Sequence, residues 1–312
     1  MTAMDTPRDK ANLPDPSTGP IASSWGRMLR DYFILTKPSI ILLLLITTVP
    51  AMFLAADGWP GGLLILATLL GGMMAAGGAG AVNMYIDRDI DAVMQRTRRR
   101  PIPSGRVPAR HALIFGLLLG LGSGPWLWYT VNTMSAALAV GAFLFYVVAY
   151  SLYLKRRTVH NTVLGGVAGA APPLIGWAAI TNSITIEGLL LFFIVFFWQP
   201  PHFWALALRL KEDYRSAGIP MMPVVLGERE TKRQTLLFAV LTFMITLIFG
   251  AIATLSWIYF AVAILGGIGF TRAAMVMLRG RGLDGTDGMF RFSTSYLAAL
   301  FIAMVVDNAV FG

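Results

Sequence analysis

The stretch NMYIDRDIDAVMQRTRRRPIP, residues 83–103, decides how this chain is interpreted. It follows a glycine-rich apolar segment long enough to cross a bilayer, and it places three carboxylates, Asp87, Asp89 and Asp91, ahead of a run of arginines. Asn83, Asp87 and Asp91 recur every four residues, so a helix would put them on one face and Asp89 on another. Two carboxylates and an amide oxygen are hard ligands of the kind that Mg²⁺ uses when it bridges protein to substrate phosphates. The pattern predicts a Mg²⁺ site.

The alternative is a solvated loop whose acids only neutralise the neighbouring arginines. Two features favour the metal site. The three metal-capable groups keep a strict four-residue spacing, and they follow the segment GGMMAAGGAG, residues 71–80, whose small side chains allow another helix to approach closely. The arginines beyond them are suited to binding phosphate oxygens.

The composition is that of a polytopic membrane protein. Hydrophobic residues make up 56% of the 312 residues and charged residues only 13%. The chain has no cysteine, which excludes disulfides, zinc–thiolate sites, iron–sulfur clusters and cysteine nucleophiles. The net charge of +9 suggests a nucleic-acid partner at first sight. The positive charges lie in short connections between apolar segments, however, so we expect no nucleic acid and attribute them to membrane topology.

Apolar segments of the length that spans a bilayer, about 17–25 residues, occur nine times. We therefore predict an all-α integral membrane protein with nine transmembrane helices. The segments are 39–56, 61–82, 111–131, 134–154, 159–180, 188–208, 233–255, 258–278 and 291–311.

The basic residues predict the orientation of these spans. With nine spans, all 25 Lys and Arg residues fall on the side of the N-terminus, and the opposite connections contain none. The positive-inside rule then places the N-terminus in the cytoplasm, the C-terminus outside and the candidate chemistry at the cytoplasmic mouth. Residues 1–24 read as a disordered cytoplasmic tail without a secretory or transit signal, and residues 25–312 as a single transmembrane domain. We expect the membrane to be a bacterial inner membrane.

The connection after the sixth span is the second candidate ligand segment. Besides the 83–110 connection, it is the only one on this side that combines acids with a basic cluster near a helix end, and a diphosphate-bound Mg²⁺ usually takes ligands from more than one segment. Asp213 is the preferred second-loop ligand, with Glu212 as the alternate. Lys211 lies beside them.

Two further groups have both a functional and a structural interpretation. His202 lies in the apolar run FFIVFFWQPPHFW, where an ionisable side chain is either functional or bonded to a neighbouring helix. Pro200 and Pro201 are expected to break that helix and free backbone carbonyls beside it. Lys155 closes the fourth span as a topology anchor or as a phosphate contact, and Tyr153 next to it is either an interfacial belt residue or a ligand.

These residues carry a resemblance to the UbiA superfamily of intramembrane prenyltransferases, and within it to the haem-farnesylating branch. The resemblance covers about the whole chain beyond the tail. The matching stretches are NMYIDRDIDAVMQRTRRRPIPSGR at 83–106, YLKRRTVHNTVLGGVAGAAPPLIGW at 153–177, WQPPHFWALAL at 198–208 and KEDYRSAGIPMMPVV at 211–225. The second loop departs from the paired-aspartate pattern of many members, because only Asp213 matches and no acid follows four residues later.

The resemblance implies nine helices around a central cavity and transfer of a farnesyl group from farnesyl diphosphate to a vinyl group of haem b. It implies Mg²⁺ as the cofactor, held by Asn83, Asp87, Asp91 and Asp213. The implied contacts to the diphosphate are Asn83, Arg96, Arg100, Lys155, Lys211 and Tyr153. The implied catalytic residues are Asp87, Asp91, Asp213 and His202. His202 matches the family histidine of QPPHFW, and its role as iron ligand, porphyrin contact or proton carrier stays open.

The expected partners are farnesyl diphosphate, haem b and the lipid bilayer, with haem A synthase or terminal oxidase assembly as possible downstream partners. Two other functions compete. A related transferase acting on 4-hydroxybenzoate or another aromatic acceptor would share the first motif without needing WQPPHFW. A membrane transporter would carry charges near the bilayer midplane, where almost every span of this chain has none.

Overall fold

The computed structural model describes residues 24–311, apart from the side chains of Ser24 and of residues 39–45. The predicted tail lies outside the described residues except for Ser24. The described part is helical and contains no strand. Its elements are α1 (Ser24–Leu35), α2 (Pro38–Ala55), α3 (Gly62–Ile86), α4 (Arg88–Val93), α5 (Ala109–Thr130), α6 (Thr133–Leu144), α7 (Asn161–Thr181), α8 (Ile186–Arg209), α9 (Lys211–Ser216), α10 (Met222–Val225), α11 (Gly227–Ile252), α12 (Trp257–Arg279) and α13 (Thr286–Phe311).

Each predicted apolar segment overlaps one helix, and the ends agree to within about six residues when α6 is counted with its continuation to Arg156. Eight helices, counting α6 with its continuation to Arg156, are long and apolar enough to cross a membrane. α2 has 18 residues, and its described apolar part is Ile46–Ala55. The chain is therefore a multi-pass, all-helical membrane protein.

The pairing of the helices follows their small residues. The glycines of α3 allow α5 to pack directly against its backbone: a methyl group at Gly78 would lie 2.4 Å from the backbone nitrogen of Gly120 and 2.6 Å from the carbonyl of Gly116. Such close approach is how helices associate where lipid removes the hydrophobic driving force. In the second half, α8, α11, α12 and α13 pack around large apolar side chains that include Trp198, Phe249 and Phe270.

The connections on one side of the bundle join one another. The carboxylate of Asp213 in α9 accepts hydrogen bonds from the loop after α4. Asn161 at the start of α7 donates to the carbonyl of Pro220, 3.3 Å away. Lys232 in α11 donates to the carbonyl of Gly280 after α12, 2.9 Å away. These bonds join connections on this side of the bundle into a polar layer.

Three local features differ from the expectations. α3 and α4 are separate helices, because the helical conformation is interrupted at Asp87, which has φ −88° and ψ 9°. The fourth span changes from α- to π-helix over Phe145–Tyr153 and ends in a 3₁₀ turn, Leu154–Arg156. The predicted break at Pro200–Pro201 was wrong, because α8 continues through both prolines to Arg209. Membrane helices tolerate proline where neighbouring groups satisfy the freed carbonyls.

Candidate functional site

The site is built where α3 ends. The amide of Asn83 donates to Asp87 Oδ2 at 2.8 Å and to Ser151 Oγ at 3.0 Å. The backbone N–H of Asp87 bonds the carbonyl of Asn83 at 2.9 Å, and that of Asp91 bonds the carbonyl of Asp87 at 2.7 Å. The i to i−4 pattern thus persists across the helix interruption. It keeps Asn83, Asp87 and Asp91 on one side, as the spacing predicts.

Asp87 and Asp91 are buried, not solvated. Asp87 is 0% exposed and Asp91 is 2% exposed, whereas the side chain of Asp89 is 61% exposed. Asp89 forms its own ion pair with Arg156, and the hydrogen bonds from that guanidinium lower the pKa of Asp89 to about 2. The solvated-loop interpretation therefore fits Asp89 alone.

Each buried carboxylate has a cationic partner from elsewhere in the chain. Lys155 Nζ lies 2.5 Å from Asp87 Oδ2. Arg100 Nη1 donates to both oxygens of Asp91, at 2.9 and 2.8 Å. A buried carboxylate requires such partners, because desolvation of an unpaired charge is costly.

Lys37, at the start of α2, is a third cation at this site. Its Nζ donates to Asn83 Oδ1 at 2.6 Å. Burial and the positive charges of Arg100 and Lys155 lower the pKa of Lys37 to about 7, although Asp87 and Asp91 oppose this effect. Three basic side chains thus lie close to two carboxylates, and an anion bound there would favour the protonated form of Lys37.

The π-helical stretch brings two groups to this cluster. Ser151 Oγ donates to the carbonyl of Tyr146, five residues earlier, at 2.8 Å and accepts from Asn83. Lys155 follows four residues after Ser151. π-Helical segments often occur at functional sites, where the extra residue per turn changes which side chains face inward. Sequence periodicity gives no signal for such a segment, and Ser151 was missed for that reason.

The geometry supports a metal ion that shares its ligands with a substrate. Asp87 Oδ1 is buried and accepts no hydrogen bond within the described residues, although Arg156 Nη2 lies 3.9 Å away. Among residues 24–311 no three Asp, Glu or His side chains converge to hold a metal by themselves. Mg²⁺ commonly takes one or two carboxylates and completes its shell with water and phosphate oxygens. The residues present fit that mode of binding.

Other residues of the predicted set lie outside this cluster. The carboxylate of Asp213 accepts the backbone N–H groups of Gln95 at 3.1 Å and Arg96 at 3.3 Å. The Arg96 guanidinium lies near Tyr214. Lys211 pairs with Glu228 at 3.1 Å. None of these contacts is with Asp87 or Asp91. A direct role of Asp213, Arg96 or Lys211 at the metal or the diphosphate therefore remains a prediction.

Tyr153 does not turn toward the carboxylates. It is 55% exposed, and the guanidinium of Arg157 lies over its ring at 4.3 Å from the centroid. A role of Tyr153 as a diphosphate ligand therefore remains a prediction. His202 is half-buried in α8 and contacts α13 through Ser293 and Phe290.

Comparison with known proteins gives consistent results. Residues 44–295 match the UbiA prenyltransferase family model. The protoheme IX farnesyltransferase of Mycolicibacterium smegmatis is 50% identical over 282 residues, which cover 89% of this chain and 91% of that protein. The enzyme of the same name from Roseiflexus castenholzii is 48% identical over 91% of this chain. This chain spans only 53% of the length of that relative.

A solved structure shares the fold. A UbiA homolog from Archaeoglobus fulgidus bound to GPP and Mg²⁺ superposes with a TM-score of 0.60 over 88% of this chain and 99% of that one, at 16% identity. At this identity the likeness concerns the arrangement of the helices alone. It agrees with the all-helical membrane fold of the described residues.

Proposed function

The chain belongs to the UbiA prenyltransferase family, and on that premise we propose that it transfers a farnesyl group from farnesyl diphosphate to a vinyl group of haem b. The observation that carries the diphosphate half of the proposal is the excess of cations, Lys37, Arg100 and Lys155, around the buried Asp87 and Asp91. The haem half rests on the relatives named protoheme IX farnesyltransferase, of which the mycobacterial one is covered almost completely.

The proposed reaction begins with cleavage of the allylic C–O bond of farnesyl diphosphate. The diphosphate leaves with the electron pair, and the positive charges of Lys155, Arg100 and Lys37 stabilise the negative charge that develops on it. The vinyl group of haem b then supplies the electrons for the new carbon–carbon bond. Water adds to the resulting cation and releases a proton, so the products are hydroxyethylfarnesyl haem and diphosphate.

Mg²⁺, when bound, would neutralise charge on the diphosphate, and Asn83, Asp87 and Asp91 are the residues that would hold it. The archaeal homolog was solved with GPP and Mg²⁺, which supports this choice of metal. The salt bridges of Lys155 and Arg100 compensate the buried carboxylates, and they also have a second role. They keep both cations beside the metal-binding groups before substrate arrives.

We also propose nine spans, with the N-terminus in the cytoplasm of a bacterium, the C-terminus outside and the site at the cytoplasmic face of the inner membrane. Residues 25–312 would form one domain. The support is the polar layer described above, in which connections on one side of the bundle bond one another. Haem A synthase or an assembling terminal oxidase would be consistent downstream partners, because they use farnesylated haem.

The proposal predicts the product of a reconstituted reaction. Purified protein incubated with Mg²⁺, farnesyl diphosphate and haem b should yield a pigment heavier than haem b by one farnesyl group and one hydroxyl group. Omitting Mg²⁺ with a chelator should abolish the gain. Parallel reactions with 4-hydroxybenzoate in place of haem should give no product. A prenylated phenol with unchanged haem would overturn the haem assignment in favour of an aromatic acceptor.

A further inference from the structure

His202 is held between two aromatic rings. Its imidazole stacks on Trp198, with centroids 4.7 Å apart and planes 20° apart, and on Phe290 at 4.4 Å and 24°. Trp198 is itself fixed, because its Nε1 donates to the carbonyl of Ser293 at 2.7 Å. The ring therefore has a defined plane, and its remaining freedom is which nitrogen carries the proton.

Ser293 removes that freedom. Its hydroxyl lies 2.8 Å from His202 Nδ1 and 2.7 Å from the carbonyl of Phe290. A carbonyl can only accept, so the single hydroxyl proton of Ser293 goes to Phe290, and the oxygen must accept from His202. Nδ1 therefore carries the proton of the neutral ring. Ser293 is fully buried, so water cannot compete for either bond.

The consequence concerns the other nitrogen. In a neutral imidazole protonated at Nδ1, Nε2 keeps its lone pair and can act as a ligand atom. Histidines that bind metals generally donate their second nitrogen to an oxygen acceptor, which fixes the tautomer and the ring orientation. The Ser293 hydroxyl occupies the place of that acceptor.

We propose that Ser293 is a positioning residue, which holds His202 in the Nδ1-protonated form so that Nε2 can bind the iron of the haem substrate. This inference rests on the proposed function for the identity of the ligand. The tautomer itself follows from the contacts of His202 and Ser293 alone. The two parts can therefore be tested separately.

The tautomer is tested without either substrate. The chain has three histidines, so protein labelled with ¹⁵N-histidine and reconstituted in bilayers gives few imidazole signals. A His202→Gln variant assigns those of His202. We expect a protonated Nδ1 and an unprotonated Nε2 in the wild type. A protonated Nε2 beside an unprotonated Nδ1 would overturn the inference, whatever the enzyme does with haem.

The role toward haem is tested by ferric haem titration of the full chain in nanodiscs, followed by the Soret band. His202→Gln should lose the Soret shift that marks iron–imidazole binding. Ser293→Ala should weaken haem affinity about tenfold, the lower end of the usual effect of removing such a partner. Ser293→Thr keeps the hydroxyl and should restore the wild-type spectrum. Binding of farnesyl diphosphate should not change in any of the three variants.

Thr294 provides the matched control. It lies next to Ser293 on α13, is exposed, and donates to the same Phe290 carbonyl at 3.3 Å without contacting His202. Thr294→Ala should leave the tautomer and haem affinity unchanged. If His202→Gln binds haem with the wild-type Soret band while the wild type still farnesylates haem, the iron-ligand inference is wrong and the proposed function stands. Equal loss of both affinities in Ser293→Ala, with a lower melting temperature, would assign Ser293 a structural role only.

Discussion

At the scale of single residues, the site is a set of buried carboxylates that form ion pairs with basic side chains. Asp87 and Asp91 have almost no exposure, and each has a close cationic partner, Lys155 for Asp87 and Arg100 for Asp91. Removing one partner of a buried pair leaves the other charge unpaired, which costs several kcal/mol of stability. Asp87 is buried, so a loss of activity on its substitution must be separated from a loss of folding.

Asp87→Asn should reduce turnover more than a hundredfold, on the order of 3 kcal/mol in the barrier, and should also lower the melting temperature, because Lys155 loses its counter-charge. Adding Lys155→Gln to the Asp87→Asn variant should recover the melting temperature without recovering activity. Steady-state kinetics and thermal unfolding of the two variants separate these effects. Recovered turnover in the double variant would mean that Asp87 serves only to pair Lys155.

Asp89→Asn is the matched control for this comparison. Asp89 lies two residues from Asp87, carries the same charge and is paired with Arg156, but its side chain is 61% exposed. Exposed ion pairs contribute little, so this variant should keep nearly normal turnover and melting temperature. A loss as large as that of Asp87→Asn would remove the distinction between the two faces.

At the scale of elements, α9 holds the loop that carries Arg100. The carboxylate of Asp213 accepts two backbone N–H groups of that loop, from Gln95 and Arg96, so two connections far apart in the chain are fixed to each other. Hydrogen bonds to a charged group contribute about 1.5–3 kcal/mol. This contact gives Asp213 a role that does not require it to touch a metal.

Asp213→Ala should therefore weaken binding of farnesyl diphosphate about tenfold and increase amide hydrogen exchange across residues 95–107, because the loop loses its anchor. Glu212→Gln is the control, since Glu212 pairs with Arg215 in the same short helix. If Asp213 is instead a metal ligand, the variant should need much more Mg²⁺ for half-maximal binding while hydrogen exchange stays unchanged. Measuring both quantities decides between the two roles.

At the scale of the whole molecule, the polar connections contact one another on one side of the bundle. On the other side the helices are joined by short connections. On that second side, Asp307 near the end of α13 accepts the backbone N–H groups of Ser256 at 2.6 Å and Tyr259 at 3.0 Å, which caps α12. Asn308 donates to Asp57 at 2.8 Å. No described basic residue lies there, so the two ends of the bundle differ in charge as the positive-inside rule requires.

Single cysteines in this cysteine-free chain test the orientation. Cysteines replacing Ser104 and Ser216, both exposed in the basic layer, should react with a membrane-impermeant thiol reagent only from the cytoplasmic side. A cysteine replacing Ser183, between α7 and α8, should react only from outside. Intact cells and inside-out vesicles provide the two directions of labelling. The reverse pattern would place the site on the outer face.

The sequence alone predicted the positions of the apolar helices, the segregation of charge and the shared side of Asn83, Asp87 and Asp91. Hydropathy, helical period and loop charge are local properties, and they are encoded within a few turns of chain. It could not predict that Lys37 bonds Asn83, that Ser151 faces the same amide, or that Ser293 orients His202. These contacts join residues 46, 68 and 91 positions apart. They depend on which helices pack together, and because apolar helix faces in a membrane resemble one another, only the tertiary structure determines that pairing.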